Sequence, residues 1–221
     1  MKIISKNSGR VIQPLVNDEI RPEGGYYIPE VIRLTSERYG FTQIPTIDEA
    51  RTGGAVFKDG RMIAGTSKFA IFEIAVFSDS IAVETANTET ARLALDDILA
   101  WSADVLHFRQ PKTIIPRVYD SAVVVEFEHS IDHIFGAVDQ LCQLLQVGFR
   151  TTYESSGDVH IGSISVGCDP LESAPQLRRK WSIERRAGVK FDANRYFSFA
   201  PVDTDTHLKM LEKFEDIALQ G

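Results

Sequence analysis

The chain predicts an α+β fold, a two-layer α/β sandwich in which helices cover one face of a largely antiparallel mixed sheet of about seven strands. Three observations predict it. A two-residue period sorts apolar from polar side chains in Phe69–Phe77, Ile81–Glu84 and Val118–Glu128. A 3.6-residue period replaces it in Thr88–Phe108, Ser130–Val147 and the last twenty residues. The breaks at Asp59-Gly60 and Ser78-Asp79-Ser80 are short enough to join only antiparallel neighbours.

Residues 1–25 hold two short apolar pieces, Ile3-Ile4 and Val11-Ile12, among polar residues, Pro22 and Gly24-Gly25, and read as an arm or edge strand. Pro29 suits a first helical turn and Gly40 a helix exit, which predicts a helix over Pro29–Tyr39 sealed by Phe41. Asp59-Gly60 between Ala55-Val56-Phe57 and Met62-Ile63-Ala64 predicts a hairpin turn, so that a meander of about four strands runs from Ala55 to Thr85.

With Asp79-Ser80 as a two-residue loop, Val76 faces Val83 and Ala75 faces Glu84. Ala70, Phe72, Ile74, Val76, Ile81 and Val83 then form a dry face. The opposite face holds Phe69, Ile71, Glu73, Ala75, Phe77, Ala82 and Glu84, with the two carboxylates diagonal to each other.

Asn87 or Thr88 caps a helix whose stripe is Ala91, Ala94, Leu95, Ile98, Leu99, Trp101, Val105, Leu106 and Phe108. In Val118–Glu128, Tyr119, Ser121, Val123, Val125 and Phe127 form a dry face, and Asp120, Ala122, Val124, Glu126 and Glu128 an acidic one. Ser130 caps a helix with Ile131, Ile134, Phe135, Val138, Leu141, Cys142 and Leu145 for burial. Strands follow near Val159–Val166, Trp181–Arg186 and Arg195–Phe199. Asp203 or Thr204 then caps a final helix carrying Leu208, Leu211, Phe214, Ile217 and Ala218. One domain over 1–221 is the simplest organisation, with 154–221 completing the sheet or forming a subdomain.

The 221 residues are 43% hydrophobic and carry a net charge of −7, which opposes whole-surface attraction to nucleic acid or an anionic membrane. No apolar run is long enough for a signal peptide or a spanning helix, so a cytoplasmic location without membrane contact is expected. Cys142 and Cys168 have no zinc or disulfide spacing and read as small buried hydrophobes.

Three clusters carry chemical interest. Glu73, Glu84, Asp120, Glu126 and Glu128 can meet on one sheet face, where carboxylates bind a divalent cation or divide into an acid and a base; the plainer reading is a solvent face. His129 and His133 lie four residues apart, but the cap at Ser130 leaves His129 outside the helix. His107, His160 and His207 read as ordinary polar positions. The third cluster is Arg178, Arg179, Lys180, Trp181, Arg185, Arg186, Lys190 and Arg195, interleaved with Phe191, Tyr196 and Phe197. Residues 178–195 hold seven basic residues against Glu184 and Asp192, a balance of +5, while the remainder of the chain stands at −12. Such a segment suits an acidic partner, single-stranded nucleic acid or a phosphorylated ligand, or it neutralises the acidic face from within.

Ser163 to Gly167 approaches a nucleophile elbow but begins with Ser, and no phosphate loop, dinucleotide fingerprint or zinc pair is present. The expectation is a binding or assembly protein that meets a protein partner or a second copy through the carboxylate face and the basic hairpin, with no cofactor or metal required. The alternatives are a metal-dependent hydrolase-like enzyme and a binder of nucleic acid or a phosphorylated ligand.

Overall fold

The computed structural model describes residues 1–52, 54–113, 115–131, 136–153, 159–169 and 179–220. The sheet strands are β1 (Lys2–Pro14), β2 (Ala55–Ala64), β3 (Ser67–Val76), β4 (Ser80–Thr85), β5 (Val118–Glu126), β6 (Ser163–Val166), β7 (Trp181–Arg185) and β8 (Arg195–Ala200). The helices are α1 (Asn17–Ile20), α2 (Ile28–Tyr39), α3 (Ile47–Thr52), α4 (Thr88–Val105), α5 (Gly136–Tyr153) and α6 (Thr204–Gln220). The eight strands form one sheet in the order β2-β3-β4-β1-β5-β8-β7-β6, an α+β sandwich of the predicted class. Two compact units share it: a first of residues 7–121 with 202–204, and a second of 1–6, 122–201 and 205–221.

In the first unit, Pro at the start of α2 and Gly40 at its end, left-handed at φ 61°, delimit the helix as its composition requires. The Asn87 side chain accepts the Thr90 N–H at 2.9 Å and starts α4. α4 lays Ala91, Ala94, Leu95 and Ile98 on Val11, Ile71, Ile74, Ile81 and Val83, and Ile32, Tyr39, Phe41 and Phe57 complete this core. Burial of these side chains is the main stabilising term, about 1.5–3 kcal/mol for each large one.

Four expectations are corrected here. β1 is neither an arm nor an edge strand. It pairs with β4, Val11 opposite Val83 and Arg10 opposite Glu84, and lies between β4 and β5. Asp59-Gly60 does not turn the chain, because β2 runs through it and reverses only at Gly65-Thr66. Asp59 adopts φ 56°, and the Asp59–Phe72 pair is missing from a ladder that is regular on either side. Burial changes phase there: Ile74 and Ile71, three residues apart, are both fully buried, and Phe72 is exposed. Gly60 is needed for packing as well as conformation, since a Cβ at that position would lie 2.4 Å from the Phe41 ring. Finally, the β3–β4 register places Val76 opposite Ile81 and Glu73 directly opposite Glu84, so the two carboxylates are not diagonal.

In the second unit, Val123, Val125, Phe127, Ile131, Ile183, Tyr196, Leu211 and Ala218 form the core, with Leu208, Phe214 and Trp181 packed against it. β5 corrects the expected acidic face. Its interior residues from Asp120 to Val125 are all buried, so side chains of both parities are covered and neither side of the strand is a solvent face. The helix predicted from Ser130 begins at Gly136, with Ile131 buried before it; Ile134 and Phe135 lie outside the described residues. In α6, Ile217 is 55% exposed, whereas His207 and Glu215 are buried. Cys142 is half-buried and Cys168 exposed, so neither thiol is the fully buried hydrophobe expected. Among the described residues, no helix is long and apolar enough to cross a membrane.

Candidate functional site

The carboxylate face resolves into separate groups, in which Glu73 and Glu126 each meet a cation within their own unit. In the first unit, strand register builds a row across four strands: Lys58 on β2, Glu73 on β3, Glu84 on β4 and Arg10 on β1. Two carboxylates facing each other repel. Lys58 Nζ at 3.5 Å and Arg10 Nη2 at 3.6 Å from the Glu73 carboxylate offset that repulsion. Glu73 is mostly buried, at 22% side-chain exposure, so these contacts matter more than an exposed surface pair would. The next row on the same face is Val56, Ala75, Ala82 and Ile12, with both alanines buried. Asp120, in the same unit, is buried, so it is not on a solvent face.

In the second unit, Glu126 accepts two hydrogen bonds from the Arg195 guanidinium, at 2.6 and 3.1 Å on one oxygen. These bonds hold its carboxyl below the usual range, aided by the charge of Lys2. Glu128 is exposed, and its backbone N–H donates to Glu215 at 2.6 Å. Among the described residues, no three His, Cys, Asp or Glu side chains come together as a metal site. His129 is exposed and His133 lies outside those residues.

The basic segment spends much of its charge internally. Arg185 donates to the Ile161 carbonyl at 3.1 Å and the Phe191 carbonyl at 3.0 Å. Its guanidinium lies 4.4 Å from the Phe191 ring centroid and 5.2 Å from that of Tyr196. Arg195 is engaged by Glu126, and Trp181 packs edge-on to Phe214 at 5.3 Å. Arg179, Lys180, Arg186 and Lys190 are exposed. Arg178 lies outside the described residues.

Two further arrangements escaped the sequence reading. Ser198 and His207, both fully buried, meet at 2.9 Å. The Ser198 hydroxyl donates to the Ser182 carbonyl at 2.8 Å, which leaves its oxygen to accept from His207 Nε2–H. Nε2 therefore cannot take the serine proton, and the pair is a structural link rather than an activated nucleophile. Burial depresses the His207 pKa to about 4.

The second arrangement is α5. Cys142 and Gln146, one turn apart, are its half-buried side. On a 100° helical period Leu144 lies opposite them, and it is 70% exposed. Val147 at 61%, Leu141 at 53% and Leu145 at 43% extend the exposed apolar arc, while Phe149, also 43% exposed, lies next to Cys142 on that period. Hydrophobic period alone would bury Leu141 and Leu145, as expected above; it does not say whether the partner belongs to the same chain.

No protein-family model matches the chain, and no curated protein sequence is similar to it.

Proposed function

We propose that this protein acts by binding, as an assembly protein that pairs with a second copy of itself through α5. The exposed apolar arc of that helix carries the reading. Four large apolar side chains within two turns, Leu141, Leu144, Leu145 and Val147, are exposed on the arc away from the half-buried side of α5, and clustered exposed apolar groups mark interaction surfaces. A second copy offers a like apolar arc, which a two-fold axis pairs with its own image, and Asp139 and Arg150 are the only charged residues of 136–153 in the sequence, so little charge opposes that pairing.

The carboxylate rows and the 178–195 segment are secondary surfaces in this proposal, since Arg10, Lys58, Arg185 and Arg195 already have partners within their units. The metal-dependent hydrolase reading has less support, because the carboxylates it needs are divided among separate ion pairs.

Light scattering behind size exclusion tests the proposal. The parent is expected to run as a dimer whose association strengthens or holds at high salt, as apolar burial predicts. Leu144→Glu with Val147→Glu is expected to give a folded monomer, because both positions are exposed in the single chain. A parent that stays monomeric at 100 μM, or an unaffected dimer in the double variant, would overturn it.

A further inference from the structure

A second site lies in the first unit, well away from α5 in sequence and independent of that proposal. A cavity of about 510 Å³ opens between α2, α4 and the β3–β4 reversal, within the size range of small-molecule sites. Its depth is apolar, lined by Val31, Ile32, Phe57, Ile81, Ile98 and Leu99. Thr35 interrupts this lining. It is only 4% exposed and offers the lining a hydroxyl that a polar group of a bound molecule can meet.

The charge of the lining is one-sided. Arg21, Arg51 and Arg109 line it against Asp79 alone. Arg109 is paired with Glu23 at 2.8 Å, whereas Arg51, exposed on α3, has no carboxylate within ion-pair distance among the described residues. The wall is also built in advance. Glu19 accepts hydrogen bonds from Lys112 N–H and Thr113 N–H at 3.0 and 2.8 Å and from the Thr113 hydroxyl at 2.6 Å. The Arg109 N–H donates to Ile20 carbonyl at 2.9 Å, and the Tyr26 and Phe108 rings pack at 5.2 Å. A cavity held open by contacts made without ligand loses little to ordering when it binds.

We propose that this cavity binds an amphipathic monoanion, an alkyl chain ending in a carboxylate, with the chain among Ile32, Phe57, Ile98 and Leu99 and the carboxylate at Arg51. The chain gains what each buried methylene gains on leaving water. The head gains a charge-assisted, two-pronged hydrogen bond that a guanidinium gives a carboxylate and a neutral hydroxyl cannot receive.

Trp101 lines the cavity and Trp181 belongs to the other unit, so a Trp181→Phe chain reports on the cavity by fluorescence. Dodecanoate, titrated below its micelle concentration, is expected to shift the Trp101 emission saturably at one molecule per chain. 1-Dodecanol is expected to bind about tenfold more weakly, and Arg51→Ala is expected to erase that difference. Val31→Phe, which fills the cavity from α2, is expected to abolish binding while circular dichroism shows the fold intact. If that variant is unfolded, Leu99→Phe replaces it. No saturable shift with dodecanoate, or undiminished binding in a folded cavity-filling variant, overturns the site. Tighter binding of dodecyl phosphate than of dodecanoate overturns the carboxylate assignment. Monomeric Leu144→Glu/Val147→Glu protein is expected to bind dodecanoate as the parent does, which separates this outcome from the state of assembly.

Discussion

With its ring fully buried against Ser198, His207 remains neutral in the folded chain until the pH falls to about 4, whereas in the unfolded chain it protonates near the ordinary 6.5. Between those values only the unfolded state takes up this proton. Its contribution to stability is therefore complete above about pH 6.5, is lost as the pH falls from 6.5 towards 4, and changes no further below that. The loss is steepest at about 1.4 kcal/mol per pH unit and totals about 3 kcal/mol. Urea titrations at pH 7 and pH 4.5 are expected to show it, and His207→Gln is expected to flatten the curve across that interval. The carboxyls held below their usual range by hydrogen bonds, Glu19 by Thr113, Glu49 by Thr46 and Glu126 by Arg195, lose their contribution at lower pH, so the two effects separate. Gly9 is the other decisive single residue. A Cβ there would lie 2.1 Å from the backbone of Asn87 and Thr88, where α4 begins. Gly9→Ala is expected to cost 2 kcal/mol or more, since only a backbone shift could relieve it; Gly24→Ala, with open space around it, is expected to be nearly neutral.

At the scale of elements, the row Lys58–Glu73–Glu84–Arg10 shows how neighbouring strands divide a charge. Arg10→Ala is expected to destabilise by about 1–2 kcal/mol, because Glu73 then faces Glu84 with only the half-exposed Lys58 beside it. Glu84→Gln, which removes the repulsion without emptying the site, is expected to be neutral or mildly stabilising. Thermal melts of the two variants check the sign. The same row explains an error of register. Asp79-Ser80 and Ser78-Asp79 are both plausible two-residue loops, and moving the loop by one residue turns a diagonal carboxylate pair into a facing one. The Asp59-Gly60 dipeptide misleads for a related reason. Both residues suit a hairpin turn, but here a left-handed Asp59 and a Gly60 beneath the Phe41 ring kink a continuing strand instead. That use depends on Phe41, nineteen residues earlier, and no local pattern announces it.

Over the whole molecule, strand order sets where structure is hardest to open. β4, β1 and β5 each lie between two strands, and β2 and β6 are the edges. Native-state hydrogen exchange is expected to protect amides of β1, β4 and β5 most and those of β6 least, β6 being four residues long and mostly exposed. Faster exchange in β1 than in β2 would contradict that order. β1 is also where composition alone fails most plainly. Lys2, Lys6, Asn7 and Arg10 read as a solvated arm, yet the strand they belong to is interior to the sheet, because Gly9 and Val11 fit beneath α4 and Arg10 finds Glu73.

The sequence by itself determined the features that depend on a few consecutive residues: the α+β class, the span of α2 between Pro29 and Gly40, a cap at Asn87 or Thr88 and the Ala91, Ala94, Leu95 and Ile98 part of the α4 stripe, and strands near Trp181–Arg186 and Arg195–Phe199, which differ by one residue from those observed. Periodicity and capping are local physics, and they are legible without a partner. The tertiary structure alone decided which carboxylate meets which cation, that Asp120 and His207 are buried, that the apolar side of α5 is left open, and that α2 and α4 enclose a cavity beside Arg51. These depend on strand order and on pairings between residues tens of positions apart, and a single sequence carries no signal for the pairing itself.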